Sequence, residues 1–261
     1  SEAWTPIAGF AGVLDGNGKT LTVNYSGSDE QAGIFATLDG TVKNLRVAGS
    51  FTTTATAKVT LGAVAGKLGE KAQIVGCTNT AGIAMNVDAS GTTVIGGIFG
   101  QGAAGNVIAD NTNEGRITVR RKTPGDAAAV AGVGGWAYSD VTGCVNKGEI
   151  RYSDEVSAAK AVYVGGVLGR LDIGKGYVVE DCRNEAPVTL ATAQAANNLL
   201  GGIAAYANGE NRDTPNTIRN CENRGDVLAD APVSDKAKTG QARMGGICGG
   251  TAVFEGNTNY G

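Results

Sequence analysis

Ile218-Arg219-Asn220-Cys221-Glu222-Asn223-Arg224-Gly225-Asp226-Val227 is one copy of a unit that the chain rewrites along its length. Its central asparagine recurs as Asn79, Asn113, Asn146, Asn184, Asn223 and Asn259, at spacings of 34, 33, 38, 39 and 36 residues. Before each stands an apolar residue (Ile74, Ile108, Val141, Val179, Ile218, Phe254), and after it, as far as the chain runs, a β-branched one (Ile83, Ile117, Ile150, Val188, Val227). An earlier copy, Val42 to Phe51, has Leu45 and Val47 in the Cys and Asn slots and brings the shortest repeat to 32 residues. Period-two apolar spacing with β-branched residues indicates strands, and the intervening glycines and asparagines indicate bends.

A second motif, Gly-Gly-apolar, keeps the same beat: Gly62-Ala63-Val64, Gly96-Gly97-Ile98, Gly134-Gly135-Trp136, Gly165-Gly166-Val167, Gly201-Gly202-Ile203 and Gly245-Gly246-Ile247, with Ala32-Gly33-Ile34 as a degenerate first copy. A fixed period in the thirties is the signature of a solenoid. Equivalent residues must stack from coil to coil, so the expected fold is all-β, a parallel β-helix of about seven coils built on repeats of 32–39 residues. Residues 1–30 are expected to form an N-terminal cap segment and 31–261 a single repeat array.

Composition agrees with one array. Forty-two glycines and 5% aromatics accompany 42% hydrophobic residues, enough for a continuous core. Net charge is −3, which leaves no broad basic field for nucleic acid or an anionic membrane. No apolar run is long enough to span a bilayer, and with no leader ahead of Ser1 the chain reads as a trimmed or mature start. Histidine is absent, which removes the commonest general base and transition-metal ligand.

Cys77, Cys144, Cys182 and Cys221 share one position with Asn111 and Asn257; with Cys248 they are odd in number and widely spaced, so free buried thiols are expected rather than disulfides or a zinc site. The residues after the ladder asparagines (Glu114, Lys147, Glu185, Arg224) predict a stripe of alternating charge, with Arg224 answering Glu185 across coils. Asp15 to Lys19 reads as a turn between two short strands; Lys19 stands where a calcium loop needs a ligand. No metal site, cofactor or catalytic residue is expected. Trp136, in the slot of Ile98 and Val167, is expected to face the core. The ligand-binding candidates are Tyr138 and Tyr206, as exposed aromatics, and Arg120 and Arg121, in a basic loop running to Asp126 that could meet an acidic glycan. Variable loops around 206–217 and 229–242 would supply a binding face.

Gly96-Gly97-Ile98-Phe99-Gly100 and Gly165-Gly166-Val167-Leu168-Gly169 resemble the GLUG motif of bacterial surface and secreted proteins, and Phe10 to Gly18 resembles the stretch that precedes such arrays. The resemblance covers nearly the whole chain. It implies a right-handed β-helix on an exported, cell-surface or extracellular bacterial protein, adhesin-like, with the repeats as stalk or interaction surface. The functional expectation is a non-catalytic module binding a surface glycan or protein; the alternative is a β-helical polysaccharide lyase or glycoside hydrolase.

Overall fold

A computed structural model describes residues 4–122, 126–155, 160–172, 175–192, 197–207, 213–230 and 242–261. Every strand pairing in it is parallel and joins one coil to the next, in sheets of eight, thirteen, seven and six strands. The chain is a right-handed parallel β-solenoid, the hand that parallel crossovers take. Six coils carry all four faces. In a seventh, an isolated bridge between Ala204 and Cys248 stands in for the second face.

One coil shows the plan. Thr93–Gly96 forms the first face, Phe99–Gln101 the second and Val107–Ala109 the third; Thr112–Asn113 and Ile117–Arg121 together run along the fourth. Alternation places Ile117, Val119 and Arg121 inward, and Thr118 and Arg120 outward. In-register pairing then stacks like on like: Ile83 on Ile117 on Ile150 on Val188, and Met85 on Val119 on Tyr152 on Leu190. These columns form one continuous core. Each inward residue is thus covered by its equivalents in the coils on either side, which is why a single repeat cannot bury its own apolar face.

The glycine pair is a corner, not a strand. Gly96 ends the first face and Phe99 opens the second, so the chain turns through Gly97 and Ile98. A Cβ on Gly97 would lie 2.4 Å from Oδ1 of Asn113, and one on Gly166 2.5 Å from Cγ of Asn184. The two motifs therefore meet across the coil: the second glycine vacates the space that the ladder asparagine fills.

The corner between the third and fourth faces has its own rule. Asn44, Gly76, Asp110, Gly143, Asp181, Asn220 and Gly256 occupy it in successive coils, all with φ between 51° and 64°. Only Gly, Asn and Asp appear in that left-handed slot, because these residues tolerate it best.

The segment before the array follows the same plan. Val13–Asp15 and Thr20–Gly27 do not pair with each other as a hairpin; they stack on Thr41–Lys43 and Arg46–Thr53 of the next coil. Asp15 accepts hydrogen bonds from the Asn17 N–H at 2.9 Å and from Asn44 Nδ2 at 3.2 Å, and pairs with Lys43. Those donors, led by the Asn17 N–H, hold its carboxyl below the usual range. At the other end Phe254 stands in register with Ile218, in the inward column, yet is 49% exposed at the open face of the last coil.

Candidate functional site

The third residue of each second-face strand points outward. In successive coils it is Lys67, Gln101, Trp136, Arg170 and Tyr206, paired in register. This column corrects the expected place of Trp136. Phe99 pairs with Gly134 and Gln101 with Trp136, so the corner of that coil is Ala131-Gly132-Val133, with Gly134-Gly135 lying where other coils have Phe99-Gly100. Trp136 is consequently half-buried on the outer side, not in the core column of Ile98 and Val167.

Beside this column, on the first face, runs a second one: Val94, Ala129, Tyr163, Leu199 and Arg243. The two faces fold back closely, because a Cβ on Gly135 would lie 2.9 Å from the Ile95 nitrogen and one on Gly169 3.0 Å from that of Val130. Val94, Ala129 and Leu199 are buried yet lie outside the main core cluster. They floor a satellite cluster on the outer surface.

The cluster is aromatic, with an arginine at its centre. Tyr138 stacks on Trp136 with ring centroids 5.6 Å apart and planes 13° from parallel. The Arg170 guanidinium lies 4.1 Å above the Trp136 ring, 5.6 Å from the Tyr163 centroid and 5.9 Å from that of Tyr206. Tyr163 and Tyr206 meet at 5.6 Å. Tyr138 and Tyr206, far apart in sequence, thus stand at two ends of one continuous surface. Burial raises the Tyr138 hydroxyl above its ordinary pKa, with Asp172 adding to the rise, so it is a neutral donor at pH 7. Beyond Tyr206 the surface opens into a cavity of about 190 Å³ lined by Ala161, Tyr163, Asn197, Leu199, Tyr206 and Arg243.

Arg120 and Arg121 lie elsewhere, on the fourth face. Arg120 points to solvent and pairs with Glu155. Arg121, expected on a solvated loop, is wholly buried: its Nε donates to Asp154 Oδ1 at 3.1 Å and Nη1 to the Asp126 carbonyl at 2.8 Å, and its guanidinium lies 5.6 Å from the Tyr152 ring. The stack Val87, Arg121, Asp154 shows why: all three share one inward slot. Thr123 to Gly125 of that loop, 208–212 and 231–241 lie outside the described residues.

The charge stripe is satisfied differently from expectation. Arg183 pairs with Glu185 at 2.6 Å and Arg224 with Glu222 at 3.0 Å, each across its own ladder asparagine. With the asparagine turned inward, its two neighbours both point out and reach each other within the coil. Compensation also skips a coil, Arg46 reaching Glu114 at 2.8 Å.

The described cysteines are all free, and four are buried. Cys182 donates to the Glu180 carbonyl at 3.2 Å; hydrogen bonding to the Cys144 and Cys221 thiols, with burial, holds it well above its ordinary pKa. Asn111 and Asn257 use the same slot to accept from the backbone N–H of Cys77 and Cys221, each at 2.9 Å. Among the described residues no cluster of His, Cys, Asp or Glu is placed to hold a metal ion, and no helix is long and apolar enough to cross a membrane.

Fold and surface together define a parallel β-solenoid repeat module. No family model, curated protein or solved structure matches the chain.

Proposed function

We propose that this chain is a non-catalytic, adhesin-like module of an exported bacterial surface protein of the GLUG-repeat kind, binding a glycan or a protein through its outer face. One observation carries the reading: Tyr138, Trp136, Arg170, Tyr206 and Tyr163 form a continuous aromatic platform beside an open cavity. Flat rings with polar edges stack against sugar rings and are enriched at protein interfaces for the same reason, a large contact area with few rotors to freeze.

The carboxylates favour binding over hydrolysis. A glycosidase needs two facing carboxyls with one pKa raised. Here hydrogen bonds and cations hold Asp15, Asp126 and Glu180 low: the Asn17 N–H first for Asp15, Lys160 for Asp126 and Arg219 for Glu180. Asp154 is raised, by burial, but it lies in the core against Arg121, out of reach of a polymer.

The test is a glycan array and a surface-protein pull-down with the wild type and with Tyr206→Ala. Retention of a ligand by the wild type and its loss in the variant is the expected result. Turnover of a polysaccharide, seen as new reducing ends or unsaturated uronate and abolished by one Asp or Glu substitution, would overturn the reading in favour of an enzyme.

A further inference from the structure

Most arginines of the solenoid face a carboxylate; besides the solvent-facing Arg151, the exceptions among the described residues are the two beside Tyr206. Arg46, Arg116, Arg120, Arg121, Arg183, Arg219 and Arg224 each pair with a carboxylate. Arg170 and Arg243 have no carboxylate within ion-pair distance among the described residues, and the buried Nε of each has no acceptor there. Both flank Tyr206: Arg170 lies 5.9 Å from its ring, and Arg243 lines the cavity with it.

Arg170 is also held in place. Three aromatic rings surround its guanidinium, and the contact with Trp136 at 4.1 Å is a close cation–π stack. A planar donor fork fixed in this way loses little freedom when it meets a planar anion. The platform is polarised too. Asp172 acts on Tyr138 at one end, whereas Arg243 and the exposed Asn197 line the cavity at the other, with Arg170 between them.

We infer that the platform takes an anionic saccharide, its sugar ring stacked on Tyr206 and Tyr163 and its carboxylate or sulfate received by Arg170 and Arg243. The inference rests on the platform being a glycan site and adds the class of glycan. A neutral sugar would leave both guanidinium groups without an anionic partner. A charge-assisted hydrogen bond is about twice as strong as a neutral one, so the acid group should account for about a tenfold preference or more.

The experiment is titration calorimetry of the whole chain with tetragalacturonate, with its carboxyl-reduced neutral counterpart and with a heparin-derived tetrasaccharide. The wild type is compared with Arg170→Gln, Arg243→Gln and the double variant, each checked for an unchanged circular dichroism spectrum. Either acidic ligand should bind about tenfold or more tighter than the neutral one, and more weakly as salt rises. The double variant should lose the preference, its affinity for the acidic ligand falling to that for the neutral one; binding of tetragalacturonate shows that a carboxylate suffices, and binding of the heparin tetrasaccharide alone points to sulfate. Equal binding of acidic and neutral forms overturns the inference while leaving a glycan site. Acid binding untouched in the double variant overturns it as well, by placing the anion elsewhere. Binding of none of the three, with a wild type that also retains nothing on the array or in the pull-down, overturns both readings together.

Discussion

Asn113 Nδ2 donates to Oδ1 of Asn146 in the next coil at 2.9 Å, and Asn146 passes the same bond on to Asn184 at 2.8 Å. The run extends from Asn79 to Asn259, and each Nδ2 gives its second hydrogen to the carbonyl two residues on. All but the last asparagine are fully buried. Replacing Asn146 by Ala removes a donor and an acceptor at once, and leaves the Gly148 carbonyl and the Asn184 Oδ1 short of a partner. Buried polar groups stripped of partners cost about 1–3 kcal/mol each, so a loss of about 3 kcal/mol and a clear drop in thermal midpoint are expected. Asn259→Ala, at the exposed end of the run, should lower the midpoint far less. An unchanged midpoint in Asn146→Ala would refute the ladder's role.

The corner glycine facing each asparagine makes a sharper demand. On Gly132 a Cβ would lie 2.2 Å from Asn146 Oδ1 and 2.4 Å from the Gly166 carbonyl, both fixed by hydrogen bonds or strand pairing. Ala63 fills the same slot in the Asn79 coil, so Gly132→Ala should still fold, but with a thermal midpoint well below that of the wild type. Gly176→Ala has nothing within 4 Å of the new carbon and only a φ of 71° to strain, so its midpoint should fall by only a few degrees. Equal midpoints in the two variants would contradict the corner-to-ladder packing.

Much of this was legible because the repeat forces equivalent residues into columns. Asn79 to Asn259, the Cys slot and the inward β-branched residues all follow from period and alternation. The misplacement of Trp136 has a physical origin, a register taken from glycines alone. Gly134-Gly135 looks like the corner, but strand pairing makes Ala131-Gly132-Val133 the corner, with alanine at the first position where Gly96 and Gly165 stand in neighbouring coils. The misplacement hid the outward column Gln101, Trp136, Arg170, Tyr206. Arg121 was misread because its charge outweighed its parity: Ile117, Val119 and Arg121 alternate, as do Ile150, Tyr152 and Asp154, and the pairing partner was visible one coil on. Tyr163 and Arg243 needed the close folding of two faces, which no single-strand pattern carries. The left-handed corner was readable in the restriction of one slot to Gly, Asn and Asp.

The buried Arg121–Asp154 pair, with Tyr152 bonded to it, supports a triple-substitution test. Tyr152 donates to Asp154 at 2.5 Å, so three polar groups depend on one another in a slot that Val87 fills one coil earlier. Arg121→Met alone strands a buried carboxylate and should cost about 3–5 kcal/mol. Arg121→Met combined with Asp154→Leu and Tyr152→Phe should recover most of that loss, since a well-packed apolar replacement of a buried pair is often neutral or stabilising. Denaturant midpoints of the single and triple variants provide the check; a triple variant no better than the single would show that packing, not charge, sets the cost.

Acid should act through the exposed carboxylates that are held ionised. Lys160, Thr92 and the Ala127 N–H lower the Asp126 pKa from 3.8 to about 2, Lys160 contributing most. A folded-state value below the unfolded one means that the contribution is present above 3.8 and is lost as pH falls through about 2. Asp126→Asn should therefore lower the midpoint near neutrality and flatten its decline in that acid window. Wild type and variant falling in parallel there would show that the Asp126–Lys160 contact contributes nothing in solution.

The stack of Arg170 on Trp136 can be read directly by fluorescence. The chain has two tryptophans, and Trp4→Phe leaves Trp136 as the sole indole. With its ring covered by a guanidinium at 4.1 Å and by Tyr138 at 5.6 Å, Trp136 should be quenched slowly by acrylamide. Arg170→Ala in that background should raise the quenching constant and shift emission to the red. The midpoint should change little, because a partly exposed cation–π contact contributes only about 0.5–1 kcal/mol. Arg170→Lys, which keeps the charge but loses the planar stack, should fall between the two. Identical quenching in all three proteins would mean that the arginine does not rest on the indole in solution, and the preorganised guanidinium on which anion recognition depends would be lost with it.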